Sequence, residues 1–245
     1  MKALRAMALA AALPAAAAAA TDGLSALGVT PGKGGTTLST PLQIAIGLTL
    51  LSLLPAAVMS VTPFLRITVV LHFLRQALGT QSTPSNQVLV GLALFLTILI
   101  MQPVVADMYH QGWEPLEQGQ LTTAQAMDAG GRPLRNFLVR FAREKDIRLF
   151  VELAHAPAPH TAADLDLKIL APAYILSELK TGFQIGAVLF LPFLVIDLVV
   201  ASVTLSVGMV QLPPVMISAP FKILLFVLVD GWNLVVGSLM KSFYR

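Results

Sequence analysis

"PFKILLFVLVDGW", residues 220–232, sets one lysine and one aspartate inside an otherwise apolar run. Eight residues along an α-helix advance about 12 Å and turn roughly 80° past two full circles, so Lys222 and Asp230 cannot face each other. An unpaired charge in apolar surroundings is costly. Each of the two therefore needs a partner on another element, and where those partners lie depends on the remaining apolar stretches.

The chain has 245 residues, of which 56% are hydrophobic and only 12% charged, with a mean hydropathy of +0.78. Soluble domains carry about 25% charged residues, so this is a membrane-class composition. The formal net charge of +3 is too small, and its bases too scattered, for a nucleic-acid footprint. The absence of cysteine removes disulfides, thiolate metal sites and cysteine nucleophiles together.

Residues 1–20 begin with Lys2 and Arg5, continue through an alanine-rich apolar stretch, and end in small residues that permit cleavage near Ala20. That pattern predicts a cleavable signal peptide; an uncleaved anchor helix is the alternative. Residues 21–40, rich in glycine, threonine and serine, predict a flexible lead-in.

Four strongly apolar stretches follow, at residues 42–61, 87–107, 185–209 and 217–240. Each is long enough as a helix to reach about 30 Å and cross a bilayer core. Two precede a polar middle region and two follow it. The predicted architecture is all-α and multi-pass, with a first hydrophobic hairpin at 41–109, a polar helical insert on the periplasmic side at 110–184, and a second hairpin at 185–245. Nothing in the pattern suggests strands. An exterior start would place residues 64–85 in the cytoplasm, in weak agreement with Arg66 and Arg75. Pro55, Pro103, Pro192 and Pro220 are each expected to bend or break their helix.

Within the insert, "LRNFLVRFAREKDIRLFVELA", residues 134–154, repeats Leu134, Phe137, Leu138 and Phe141, then Ile147, Leu149, Phe150 and Leu153 at helical spacing. This predicts an amphipathic helix or helix pair. Its apolar face either packs on the chain's own hairpins or, through Phe137, Phe141 and Phe150, contacts another subunit. "APAPHTAADLD" beyond it reads as a proline-broken linker.

No catalytic constellation emerges. "GVTPGKGGTT" has three residues between Gly28 and the Gly32–Lys33 pair where a Walker A loop needs four. His72, His110, His155 and His160 show no metal-ligand spacing, so neither metal nor cofactor is expected. G-x-S-x-G is missing, and the insert's acids interleave with its bases as on a solvated surface.

What remains is the second hairpin. If its turn centres near Gln211, Asp197 and Lys222 are offset by about 4.5 Å along antiparallel helices, so a pair between them is expected, within the hairpin or to a neighbouring copy. Asp230 is left to a helix terminus or another subunit. The turn "GMVQLPPVM", residues 208–216, flanks Pro213 and Pro214 with Met209 and Met216. The prolines stop a continuous helix, and the thioethers serve either as core filler or as a deformable constriction around an axis.

"PAYILSELKTGFQIGAVLFLPFLVIDLVVASVTLSVGM", residues 172–209, followed by "LPP" and "APFKILLFVLVDGW", resembles the FliP family of flagellar type III secretion export-gate proteins. The resemblance covers essentially the whole chain beyond the signal sequence and is most specific over 172–232. It implies a non-enzymatic subunit that forms a helical homo-oligomer with FliQ and FliR at the flagellar basal body, in the bacterial inner membrane, and passes unfolded flagellar subunits. It also implies that the predicted spans wind into a protein cone, which would account for the prolines. The loop of Met209, Val210 and Gln211, with Met216, would be the pore gasket. Where the family carries three consecutive methionines this chain has Met209, Val210 and Gln211, so only Met209 carries over directly; Ala187 replaces a larger apolar residue after "FQIG". The signal sequence favours the flagellar branch over the related virulence systems. From the residues alone, an ion-coupled secondary transporter competes, because broken helices and intramembrane charges also mark carriers. An enzyme would need a nucleophile, a base and an orienting group together, which no stretch supplies.

Overall fold

In the computed structural model, the structure describes residues 29–32, 35–38, 40–80, 82–157, 165–208 and 213–244. The predicted signal peptide lies outside them. The chain divides into two compact units, Met1–Ala57 and Val58–Arg245.

The first unit corrects one expectation. Strands β1 (Val29–Gly32) and β2 (Gly35–Leu38) pair antiparallel, with Val29 opposite Leu38 and Gly32 opposite Gly35, in the segment read as a lead-in without strands. The β-branched residues Val29, Thr30, Thr36 and Thr37 favour extended backbone, a local signal outweighed in the sequence by the surrounding glycines. Helix α1 (Thr40–Ser60) follows and continues through Pro55. None of its most apolar stretch is buried.

Every other described element is helical: α2 (Phe64–Ala77), α3 (Asn86–Met108), a π-helical turn (Tyr109–Trp113), α4 (Glu114–Glu117), α5 (Thr123–Phe141), α6 (Glu144–Leu153), α7 (Leu167–Ser206), α8 (Pro214–Leu228) and α9 (Gly231–Lys241). By length and composition α1, α3 and α7 can cross a membrane, and α8 with α9 make a fourth span if the bent pair counts as one.

Helix α7 is the axis of the second unit. Its 40 residues extend about 60 Å. It passes unbroken through Pro172 and Pro192 and across the expected boundary at 184/185, so the end of the insert and the third apolar stretch are one rod. The apolar signal begins late because the first half of α7 carries polar residues on the faces that meet the insert.

Residues 64–85, between the first two apolar stretches, hold a core helix. Helix α2 buries Ile67, Val70, Leu71, Leu74 and Ala77. It runs parallel to α7: Arg66 meets Glu178, Val69 packs at Gly182, and Phe73 lies at Gly186 and edge-on to Phe183 with ring centroids 5.4 Å apart. A methyl group at Gly186 would come within 2.6 Å of the Phe73 ring, so this approach requires glycine. Arg66, only 3% exposed, is therefore no loop charge.

The expected helix pair of the insert is α5 and α6. A capping box starts α5: the Thr122 hydroxyl accepts from the Gln125 N–H, while Gln125 Oε1 accepts from the Thr122 N–H at 3.0 Å. Pro213 caps α8 and Pro214 takes its first position, where a missing N–H costs nothing. The fourth apolar stretch bends by 66°, but at Val229–Asp230 rather than at Pro220. Asp230 is left-handed (φ 51°), and a Cβ on Gly231 would meet the Phe226 ring at 2.2 Å. Proline proves a poor guide to breaks here; α3 and α5 likewise continue through Pro103 and Pro133.

Candidate functional site

Three polar knots tie the second unit together, all centred on α7. The first joins α7 to α8. Lys222 Nζ donates to Asp197 Oδ2 at 2.6 Å, and the Ser218 hydroxyl bonds Asp197 Oδ1. Ser218 and Lys222 are one helical turn apart on the same face of α8, and both are buried. The Asp197 side chain keeps 27% of its surface exposed, against 2% for Lys222. Gly79, in the left-handed turn that ends α2, closes the far side: a Cβ there would sit 3.9 Å from Lys222 Nζ and 3.6 Å from Ala219 Cβ. Three elements thus converge on one ammonium.

Asp230 takes no part in this knot. It stands at the N-cap of α9 without capping a backbone N–H, and accepts from Asn233 Nδ2 at 3.2 Å. Gly208, also left-handed (φ 77°), ends α7. Met209, Val210 and Gln211 lie outside the described residues. Met216 belongs to the first turn of α8 rather than to a loop, because the helix starts at Pro214, and it is 72% exposed.

The second knot is Arg66 with Glu178. The pair is almost wholly buried. Arg66 also donates to the Ser242 hydroxyl at 3.1 Å, and its guanidinium lies 4.0 Å from the Phe243 ring centroid and 5.5 Å from that of Phe141. Tyr174, fully buried, stacks near Phe137 at 6.1 Å. Phe137 and Phe141 touch each other at 4.9 Å, and Phe141 meets Phe243 at 5.2 Å. These two phenylalanines therefore pack on the chain's own core, one of the two placements considered from the sequence. Their helical face was read correctly; what it packs against depended on α7 and the C-terminus. Phe150 is half-buried.

The third knot joins α6 to α7. Asp146, 1% exposed, accepts from the Ser177 hydroxyl at 2.8 Å and pairs with Lys180. Ser177 in turn accepts from the Arg143 N–H at 2.9 Å, and the Arg143 guanidinium donates to Thr181 Oγ1 at 3.2 Å and to Gln184. Burial pushes the Asp146 carboxyl up, but hydrogen bonds from Lys180 and Ser177 and the charges of Lys180 and Arg143 outweigh it and hold the group below its ordinary value of 3.8.

Sequence reading placed Asp146 and Glu178 on a solvated surface and missed both knots. A signal was present: Tyr174, Ser177, Glu178, Thr181 and Gly182 recur at helical spacing within a run that continues into a span. Of the histidines, His110 pairs with Glu114 at 2.7 Å and His72 lies beside Arg75; among the described residues no three metal-binding side chains gather.

Long apolar helices, charges neutralised in pairs and polar knots that fix helix register define the class: a membrane-embedded helical protein whose polar groups serve packing. The chain belongs to the FliP family, whose model matches residues 47–239. It is 48% identical over 222 residues to the flagellar biosynthetic protein FliP of Cereibacter sphaeroides, covering 91% of this chain and 74% of that protein. With the protein of the same name from Bacillus subtilis (strain 168) it shares 47% identity over 206 residues, 84% of this chain and 93% of the relative. With that of Pectobacterium carotovorum it shares 48% over 212 residues, 86% and 82% respectively.

Proposed function

We propose that the chain is a core channel subunit of the flagellar type III protein export gate, passing unfolded flagellar subunits across the bacterial inner membrane. The observation that carries this reading is the Asp197–Ser218–Lys222 knot in a FliP-family chain. It joins the end of α7 to the start of α8, the two helices on either side of residues 209–212. Met209 and Val210, with Met216 on the exposed first turn of α8, supply an apolar lining, and Gln211 adds a polar group to it. Copies arranged about an axis would bring these turns together as a seal.

The role is structural rather than catalytic, and the partners are further copies of this chain, FliQ and FliR, other basal-body proteins and the exported polypeptides. The broad apolar exterior supports such assembly: Val188, Leu191, Val195, Leu198 and Val203 on α7 are all more than half exposed. Asp230, at the bend, and half-buried Phe150 are the residues left for contacts between subunits. Co-expression with FliQ and FliR followed by measurement of the mass of the purified complex tests the assembly; a solitary monomer would overturn it. Met209→Ala is expected to raise leakage of small ions while secretion continues, and no change in either quantity would remove the sealing role.

A further inference from the structure

We infer that the Arg66–Glu178 pair holds one enclosed water molecule, which accepts from the Arg66 Nε–H and the Tyr174 hydroxyl and donates to Glu178 Oε2. Among the described residues, five side-chain polar atoms are fully buried with no hydrogen-bond partner in the chain, and three of the five, Arg66 Nε, Tyr174 Oη and Glu178 Oε2, belong to this one knot. Buried polar groups in folded proteins are almost always paired, so three orphans in one place argue for a shared partner.

The ion pair is a fork with one arm closed. A guanidinium offers parallel N–H groups from Nη2 and Nε, which a carboxylate commonly takes with its two oxygens. Here Nη2 donates to Glu178 Oε1, while Nη1 is used by the Ser242 hydroxyl at 3.1 Å. The Nε–H therefore points along the Glu178 side of the guanidinium, yet neither it nor Oε2 reaches the other. Tyr174 precedes Glu178 by four residues on α7, so the two side chains share one face of that helix.

The surroundings decide what fills the open arm. Tyr174 and Glu178 are 0% exposed and Arg66 3%, so neither lipid nor a neighbouring subunit reaches these atoms. The Phe141 and Phe243 rings cover the guanidinium, and Phe137 lies against Tyr174; none of the three carries a hydrogen-bonding side-chain atom. The Ser242 hydroxyl is spent on Leu239 O at 2.7 Å as well as on Arg66. A small anion would meet the Glu178 carboxylate and a metal cation the Arg66 guanidinium, so a neutral occupant is required. Two donors and one charged acceptor match the two lone pairs and one proton of a water, and internal waters typically make about three such bonds.

This inference is independent of the export role. Tyr174→Phe in the full chain removes the hydroxyl and keeps the ring. With the water in place one hydrogen bond is lost, and the unfolding equilibrium constant in detergent is expected to rise roughly two- to tenfold. An unpartnered hydroxyl would give the opposite sign, because phenylalanine is then the better residue to bury. A direct bond from Tyr174 to Glu178 would also make the variant less stable, so a second measurement separates the two. A density map of the purified full chain, at a resolution that shows ordered water, is expected to carry a peak within hydrogen-bond distance of Arg66 Nε, Glu178 Oε2 and Tyr174 Oη. Direct contact among these atoms without such a peak overturns the inference, and so does a Tyr174→Phe chain as stable as wild type or more so.

Discussion

Lys222 holds its ammonium at 1% exposure against one carboxylate. Lys222→Met keeps the stem and deletes the charge. Asp197 would retain the Ser218 bond and some water through its exposed edge, so the expected cost is about 1.5–3 kcal/mol rather than that of a fully stranded ion. Reversal of both residues, Asp197→Lys with Lys222→Asp, is expected to restore more secretion than either single reversal; equal failure of all three would deny the pair any role. Asp146 provides a different readout. Its carboxyl is held below 3.8 in the folded chain, so its contribution is present in full above that value and lost as pH falls through the folded pKa. Denaturation of wild type and Asp146→Asn in detergent is expected to show a stability gap near neutrality that closes below about pH 4. Of these residues, the sequence made Asp197 and Lys222 legible, because both interrupt apolar runs on either side of a short turn. Arg66 and Glu178, 112 positions apart, gave no such cue.

Glycine contacts set how closely the elements approach. Gly112→Ala would place its Cβ 2.7 Å from Gly130 Cα and 2.8 Å from the Ala126 carbonyl oxygen, and backbone atoms cannot swing aside. A loss of about 1–3 kcal/mol or more is expected. Gly131→Ala, on the same helix as Gly130, meets nothing within 4 Å and is expected to gain up to about 1 kcal/mol from helix propensity. Melting temperatures of the two variants should move in opposite directions. Element types were largely readable from periodicity: the amphipathic pair α5 and α6 and the apolar helix α3 stand where the pattern put them, while α7 begins well before its apolar stretch. Breaks were not. Proline forbids one hydrogen bond, which neighbouring packing can tolerate, whereas the bend at Val229–Asp230 depends on Phe226 filling the space at Gly231.

Across the whole second unit, the C-terminus closes the core. Ser242 and Phe243 cover the Arg66 guanidinium, and Phe243 is only 4% exposed. Ending the chain after Lys241 would strip that cover and leave a cavity beside a buried charge, at an expected cost of about 3–5 kcal/mol. Removal of residues 244–245 alone, where Tyr244 is 60% exposed, is expected to change little. Limited proteolysis in detergent would separate the two truncations, since the longer one should open α2 and α5 to cleavage.

Composition and periodicity determined the membrane class, the helical architecture and the opposition of Asp197 and Lys222, because apolar length and charge placement within one hairpin are local properties of the chain. Only the tertiary structure decided that α2 is a core helix parallel to α7, that Phe137 and Phe141 turn inward, and that Arg66 and Asp146 are buried. Those outcomes depend on partners brought from distant positions, and an ion in low dielectric is tolerable only where the fold delivers its counter-charge.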